Sequence, residues 1–185
     1  MLPELTCPWV RQEAEIAYHD LEWGVPVSDP RTLFEFLILE GAQAGLSWHS
    51  ILVRRNGYRE AFCDFDPDRI AALTDAQCEE ILLNPGVIRN RLKVFGARTN
   101  ARAWLALSET RDPVEFLWSF IGGRPRVNAL TGMGDYVAET PESAAMSKSL
   151  KQAGFTFVGS TICYAYMQAV GMVNDHAVTC HRYAT

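Results

Sequence analysis

Residues 74–98 read TDAQCEEILLNPGVIRNRLKVFGAR, and the punctuation of that string decides the fold. Thr74, Asp75, Ala76 and Gln77 fit a capping box, in which the threonine hydroxyl and the glutamine amide satisfy each other's orphan backbone amides at a helix start. The helix runs on through Cys78, Ile81 and Leu82, then meets Asn84-Pro85-Gly86-Val87-Ile88. Beyond that turn stand Arg89, Arg91, Lys93, Arg98 and Arg102, with no acidic residue between Asn84 and Ser108. Helix, tight glycine hairpin and second helix make a helix-hairpin-helix candidate over about residues 75–107. Glycine permits the turn, and the free amides that open the second helix suit a phosphate oxygen. The same string also fits an ordinary corner of a helical bundle, and the basic run also fits a solvated helix face.

Outward from this element the same helix signals recur. Asp29-Pro30 opens a helix through Leu33, Phe34, Leu37, Ile38 and Ala42; Asp112-Pro113 and Thr140-Pro141 open two more. Gly57, Gly122, Gly154 and Gly171 stand where left-handed caps would end helices. Alternating strand-type runs are almost absent. The predicted class is all-α with short loops, residues 122–136 forming the one long loop.

A chain of 185 residues with 48% apolar and 21% charged side chains builds a core without disulfides, and is expected to form one unit over 1–185. The first ten residues lack the basic and apolar regions of a leader, and no apolar run reaches membrane-spanning length. A cytoplasmic protein without membrane contact is expected, with a monomer as the default state. The net charge of -5 argues against non-specific coating of nucleic acid, while the positive segment after Asn84 still allows a local phosphate site. Five scattered cysteines suit reduced thiols or metal ligands better than a disulfide framework.

Cys7 and His19 lie near the start of the chain, His176 and Cys180 near its end, the last two at i, i+4 spacing that puts both on one face of a helical turn. Such a Cys2His2 set suits tetrahedral Zn2+ and leaves no open position for water, so the site would be structural. Joining His19 to His176 costs on the order of several kcal/mol of chain entropy. Zinc binding, at roughly 10 kcal/mol or more, offsets it. His181 is a rival ligand, and four unrelated side chains are the plainer alternative.

Glu40 lies in an apolar helix just before GAQAGLSW, residues 41–48. A carboxylate there must be paired, or must face a cavity and accept hydrogen bonds. Trp9, Tyr18, Trp23 and Trp48 supply aromatic faces in the same third of the chain. An alkylated purine carries positive charge, and a buried carboxylate among π faces suits it. The alternative is a filled aromatic core with Glu40 paired to an arginine.

The strings AYHD (17–20), EWGVP (22–26), LEGAQAGLSW (39–48), FTFVGSTICY (155–164) and VNDH (173–176) resemble the bacterial DNA-3-methyladenine glycosylase I family, over nearly the whole chain. The resemblance implies a helix-hairpin-helix glycosylase fold and hydrolytic release of 3-methyladenine from alkylated double-stranded DNA by base flipping, with no lyase step. It implies structural zinc on Cys7, His19, His176 and Cys180, with His181 as a neighbour. Glu40 would hydrogen-bond the extruded base, Tyr18 and Trp48 would line and stack the pocket, and Trp9 would stand at its edge. Leu46 would plug the gap left in the duplex, and Gly86, Arg89 and Arg91 would grip the phosphate backbone. Some members carry an aromatic three residues before the tyrosine of AYHD. This chain has Glu15 there, and a missing wall would change affinity or base selectivity. Two other functions fit the same residues: a non-catalytic helix-hairpin-helix DNA-binding module, and a zinc-dependent hydrolase in which the metal activates water.

Overall fold

The computed structural model describes residues 6–183, so residues 1–5 of the stretch read for a leader lie outside it. Among the described residues the α-helices are α1 (Glu13–Leu21), α2 (Pro30–Gln43), α3 (Trp48–Leu52), α4 (Arg55–Ala61), α5 (Pro67–Ala71), α6 (Asp75–Ile81), α7 (Arg91–Ser108), α8 (Pro113–Ser119), α9 (Pro141–Gln152) and α10 (Ser160–Ala169). The predicted helix starts are built as read. The Asp29 carboxylate accepts from the Thr32 amide, Asp112 accepts from Val114 and Glu115, and Thr140 and Thr74 each close a capping box.

Helix α2 is the centre of the molecule. Every residue from Leu33 to Ala42 is buried, two glutamates included, because α10, α7, α3 and α8 pack around it. A helix covered on all sides lacks a polar face on which a charge can reach water, so each of its charges needs an account.

Over the stretch read as a helix-hairpin-helix, α6 is followed by a tight turn at 84–90 and then by α7. The Asn84 side chain accepts the Gly86 amide at 2.7 Å, and Asn90 caps α7 by accepting the Lys93 amide at 3.2 Å. Gly86 does not adopt a left-handed conformation; it is needed for close approach. A Cβ added to Gly57, inside α4, would stand 2.4 Å from the Gly86 carbonyl oxygen. Gly57 is therefore a packing glycine that seats α4 against the hairpin, and not the helix cap expected from its sequence. Gly122, Gly154 and Gly171, at φ of 77°, 92° and 68°, do take the left-handed conformation.

The expected loop at 122–136 is partly ordered as structure. Arg126–Val127 pairs in parallel with Val173–Asn174, as β1 and β2, and Leu130 bridges Ala177. Among the described residues the architecture is thus mostly helical with one two-residue ladder, too short for any period to reveal in sequence. The ladder holds the loop beside the segment that carries His176. No helix among the described residues is long and apolar enough to cross a membrane.

Candidate functional site

Two neighbouring residues of α1 face two different places. Tyr18 and His19 are both buried, and the roughly 100° step between consecutive helical residues sends one toward α2 and α3 and the other toward the C-terminal segment.

On the His19 side, Cys7, His19, His176 and Cys180 meet, with one ligand atom from each lying within 4.8 Å of the others and all four residues buried. Cys180 Sγ is 3.4 Å from His19 Nε2 and 3.5 Å from His176 Nδ1, and Cys7 Sγ is 3.5 Å from His176 Nδ1. Tetrahedral zinc, bonded at about 2.3 Å to sulfur and about 2.0 Å to nitrogen, places sulfur and nitrogen about 3.5 Å apart, so the donor set fits such an ion. The second nitrogens are also held: His19 Nδ1 lies 2.7 Å from Asp20 and His176 Nε2 lies 3.1 Å from the Trp23 carbonyl oxygen. These outer contacts fix each tautomer so that the inner nitrogen presents a lone pair. Burial lowers the pKa of His176 to about 4 and lowers that of His19, which keeps both rings neutral. Burial pushes the Cys7 thiol up to about 12, so an arriving cation must displace its proton. His181 stands outside the set, 3.0 Å from Asp20.

On the Tyr18 side lies an open cavity of about 310 Å³, walled by Trp9, Tyr18, Trp23, Glu40 and Trp48 and by side chains that sequence reasoning missed: Gln43, Tyr136, Val137, Ala165 and Gln168. The ring centroids of Tyr18 and Trp48 are 5.0 Å apart, and Trp9 meets Tyr18 edge-on at 6.2 Å. Gln43 was legible, being one turn after Glu40 on the same helix. Tyr136, at the end of a loop, and Ala165 and Gln168, on α10, gave no sequence signal. Glu15 is not part of this wall. It is buried at the start of α1, where its carboxylate accepts the Arg11 amide at 2.8 Å and the Gln12 amide at 3.1 Å.

Glu40 and Glu35 are both buried on α2 and have opposite surroundings. Glu35 accepts from Arg55 Nε at 2.6 Å and from Arg59 at 2.9 Å. Glu40 Oε2 has no hydrogen-bond partner among the described residues, and burial raises its pKa to about 8. The arginine partner weighed for Glu40 is spent on Glu35. The indole nitrogens of Trp9 and Trp48 are likewise buried and unpartnered among the described residues. Buried polar groups without partners are rare enough in folded proteins to mark a place where a ligand supplies them.

Just past α2, Gly45 turns at a φ of 76° and Leu46 stands 42% exposed beside the cavity helix. Lys93, from the first turn of α7, holds this turn by donating to the carbonyls of Ala42 at 2.8 Å and Ala44 at 2.7 Å. The basic run after the hairpin is thus partly consumed within the fold. Arg91 pairs with Glu79 and stacks on Phe95, Arg98 pairs with Asp75, and Arg102 donates to the Ala71 carbonyl. Arg89 is exposed and forms no ion pair among the described residues.

A family model described as methyladenine glycosylase matches residues 9–183. The chain is 47% identical over 176 residues to DNA-3-methyladenine glycosylase 1 of Escherichia coli (strain K12), covering 94% of each chain. A crystal structure of 3-methyladenine DNA glycosylase I (TAG) matches with a TM-score of 0.94 at 48% identity, over 96% of this chain and 99% of that one. A variant of 3-methyladenine DNA glycosylase I, solved in complex with 3-methyladenine, matches with a TM-score of 0.91 at 29% identity over 95% of both chains. With the family model spanning nearly all of the chain and a relative this similar over 94% of its length, the protein belongs to the DNA-3-methyladenine glycosylase I (TAG) family.

Proposed function

We propose that the protein repairs alkylated DNA as a 3-methyladenine DNA glycosylase, flipping the damaged nucleotide from the duplex into the Glu40 cavity and hydrolysing its N-glycosidic bond. The observation that carries this reading is an unpaired, buried carboxylate in a cavity walled by Trp9, Tyr18 and Trp48. Extrusion costs a few kcal/mol, less for a lesion that has already lost pairing. Stacking of about 1–3 kcal/mol per base and cation–π attraction of about 0.5–2 kcal/mol offset most of it. Neutral adenine gains less of the second contribution, which is how the pocket selects a cationic lesion.

Water forms a bond from its oxygen to the anomeric carbon and gives up one proton to solvent, while the cationic purine takes the pair of the breaking C–N bond and departs neutral, so the base needs no proton from the protein and little acid catalysis is required. Glu40 holds the base and stabilises the positive charge as the bond stretches. Tyr18 and Trp48 stack the base, and Trp9 closes the edge. Leu46, exposed on the turn that Lys93 fixes, fills the gap left in the duplex. The opening of α7, brought to the surface by the turn at Gly86, receives a phosphate oxygen, with Arg89 and Arg91 adding charge.

The four-donor centre suits a structural Zn2+ that ties the chain's two ends into one glycosylase unit. It has no open position at which a metal would activate water, which disfavours a zinc-dependent hydrolase. Chromatography of bases released from methylated DNA, run beside Glu40→Gln, tests the reading. Wild-type protein is expected to release 3-methyladenine and the folded variant to do so about 100-fold more slowly, the scale of losing one preorganised electrostatic contact. Unchanged turnover in the variant would remove Glu40 from the mechanism, and no release by wild type would leave a non-catalytic DNA-binding module.

A further inference from the structure

Building on that reading, we infer that Tyr136 is a base-binding wall of the pocket, a specificity-determining residue supplied by the loop before α9 in place of an aromatic at position 15. The ring of Tyr136 lines the cavity together with Trp9, Tyr18, Glu40 and Trp48. Glu15 is committed to capping the start of α1 and contributes nothing to the cavity. One side of the pocket is therefore built by the C-terminal half of the chain, and among the described residues its one aromatic face is Tyr136.

The loop is held as a fixed wall. On one side of Tyr136, Asp135 accepts from the Thr131 amide at 2.6 Å, the Thr131 hydroxyl at 2.8 Å and the Gly132 amide at 3.0 Å. On the other side Ser160 donates to Glu139, and Thr140 caps α9. The β1–β2 ladder anchors the same loop further back. A ring fixed before the ligand arrives loses little conformational freedom on binding, so its contact adds directly to affinity. The Tyr136 hydroxyl is buried, forms no hydrogen bond of ordinary geometry among the described residues, and lies within electrostatic reach of Cys7. The wall and the four-donor centre are thus neighbours, and a test must separate a lost ring contact from a disturbed metal site.

Metal-replete wild type, Tyr136→Leu, Tyr136→Phe and Glu15→Ala are compared by titration with free 3-methyladenine, by kcat and KM on methylated DNA, by melting temperature and by bound metal. Leucine keeps the bulk and removes the π face; phenylalanine keeps the ring and removes the hydroxyl. Tyr136→Leu is expected to weaken 3-methyladenine binding roughly tenfold and to raise KM, with metal content and melting temperature unchanged; one aromatic contact to a base is worth that much. Tyr136→Phe is expected to bind within about twofold of wild type, since the ring persists. Glu15→Ala is expected to melt earlier and to bind the base as wild type does. The inference is overturned if Tyr136→Leu binds as tightly as wild type, if Tyr136→Phe loses as much as Tyr136→Leu, if either loses affinity only along with its metal, or if Glu15→Ala weakens base binding equally. A wild type that releases no 3-methyladenine sinks the proposed activity instead, which keeps the two failures apart.

Discussion

Two buried polar clusters share a partition of aromatic rings. Trp9 and Trp23 stand between them, with centroids 4.9 Å apart, and Trp23 meets His176 edge-on at 4.6 Å. On one side every donor of the Cys7, His19, His176 and Cys180 set faces another, and the outer nitrogens are held by Asp20 and a backbone carbonyl. On the other side Glu40 Oε2 and two indole nitrogens face no partner among the described residues. Both clusters cost desolvation, yet only the first contains its own compensation once a cation is bound. The difference separates scaffold from site: a closed set of ligands lends itself to stability, while orphaned groups lend themselves to binding something that comes and goes.

The largest effect is expected at the four-donor set. If the four donors hold zinc as proposed, chelation or Cys180→Ser is expected to lower the melting temperature by tens of degrees or to unfold the chain, because binding of a structural zinc, roughly 10 kcal/mol, would be folding free energy. Differential scanning calorimetry with and without a chelator checks this. A folded, chelated protein that has merely lost activity would make the centre catalytic and erase the distinction. The cavity side answers to Trp48→Ala, which is expected to weaken free-base binding roughly tenfold or more while leaving duplex affinity within about twofold. Equal losses in titrations of base and of duplex would remove Trp48 from the stacking role.

The smallest effect is the most discriminating. Burial raises Glu40 to about 8 from an ordinary value of 4.5. The folded state therefore keeps its proton through a range in which the unfolded chain has lost it, and folding becomes costlier as pH rises from about 4.5 to about 8, then levels off. Glu40→Gln removes that cost. The variant is expected to match wild type in melting temperature near pH 4.5 and to exceed it by several degrees at pH 9, each kcal/mol recovered being worth about 2–4 °C in a chain of this size. The same titration predicts that kcat/KM of wild type rises through pH 8 and that the variant's is flat, because a carboxylate and not a carboxylic acid stabilises a cation. A melting difference that does not grow with pH would mean that Glu40 is solvated or paired after all.

Local chemistry was legible in the sequence wherever it depends on neighbours in the chain. The caps at Asp29, Thr74, Asp112 and Thr140 involve residues two or three positions apart, so their hydrogen bonds were fixed by sequence alone. The hairpin between α6 and α7 and the residue types of both clusters were readable for the same reason. Gly57 was misread because its constraint comes from Gly86, twenty-nine positions away, a close approach that no local rule contains. The inventory of Cys7, His19, His176, Cys180 and Glu40 was therefore a property of the sequence. What tertiary structure alone decided was pairing: that Arg55 and Arg59 go to Glu35 and leave Glu40 unpartnered, and that Tyr136 closes the cavity while Glu15 does not. A buried charge is a binding group or a structural one according to what packs beside it. Those neighbours are set by long-range packing around α2, which periodicity along the chain does not encode.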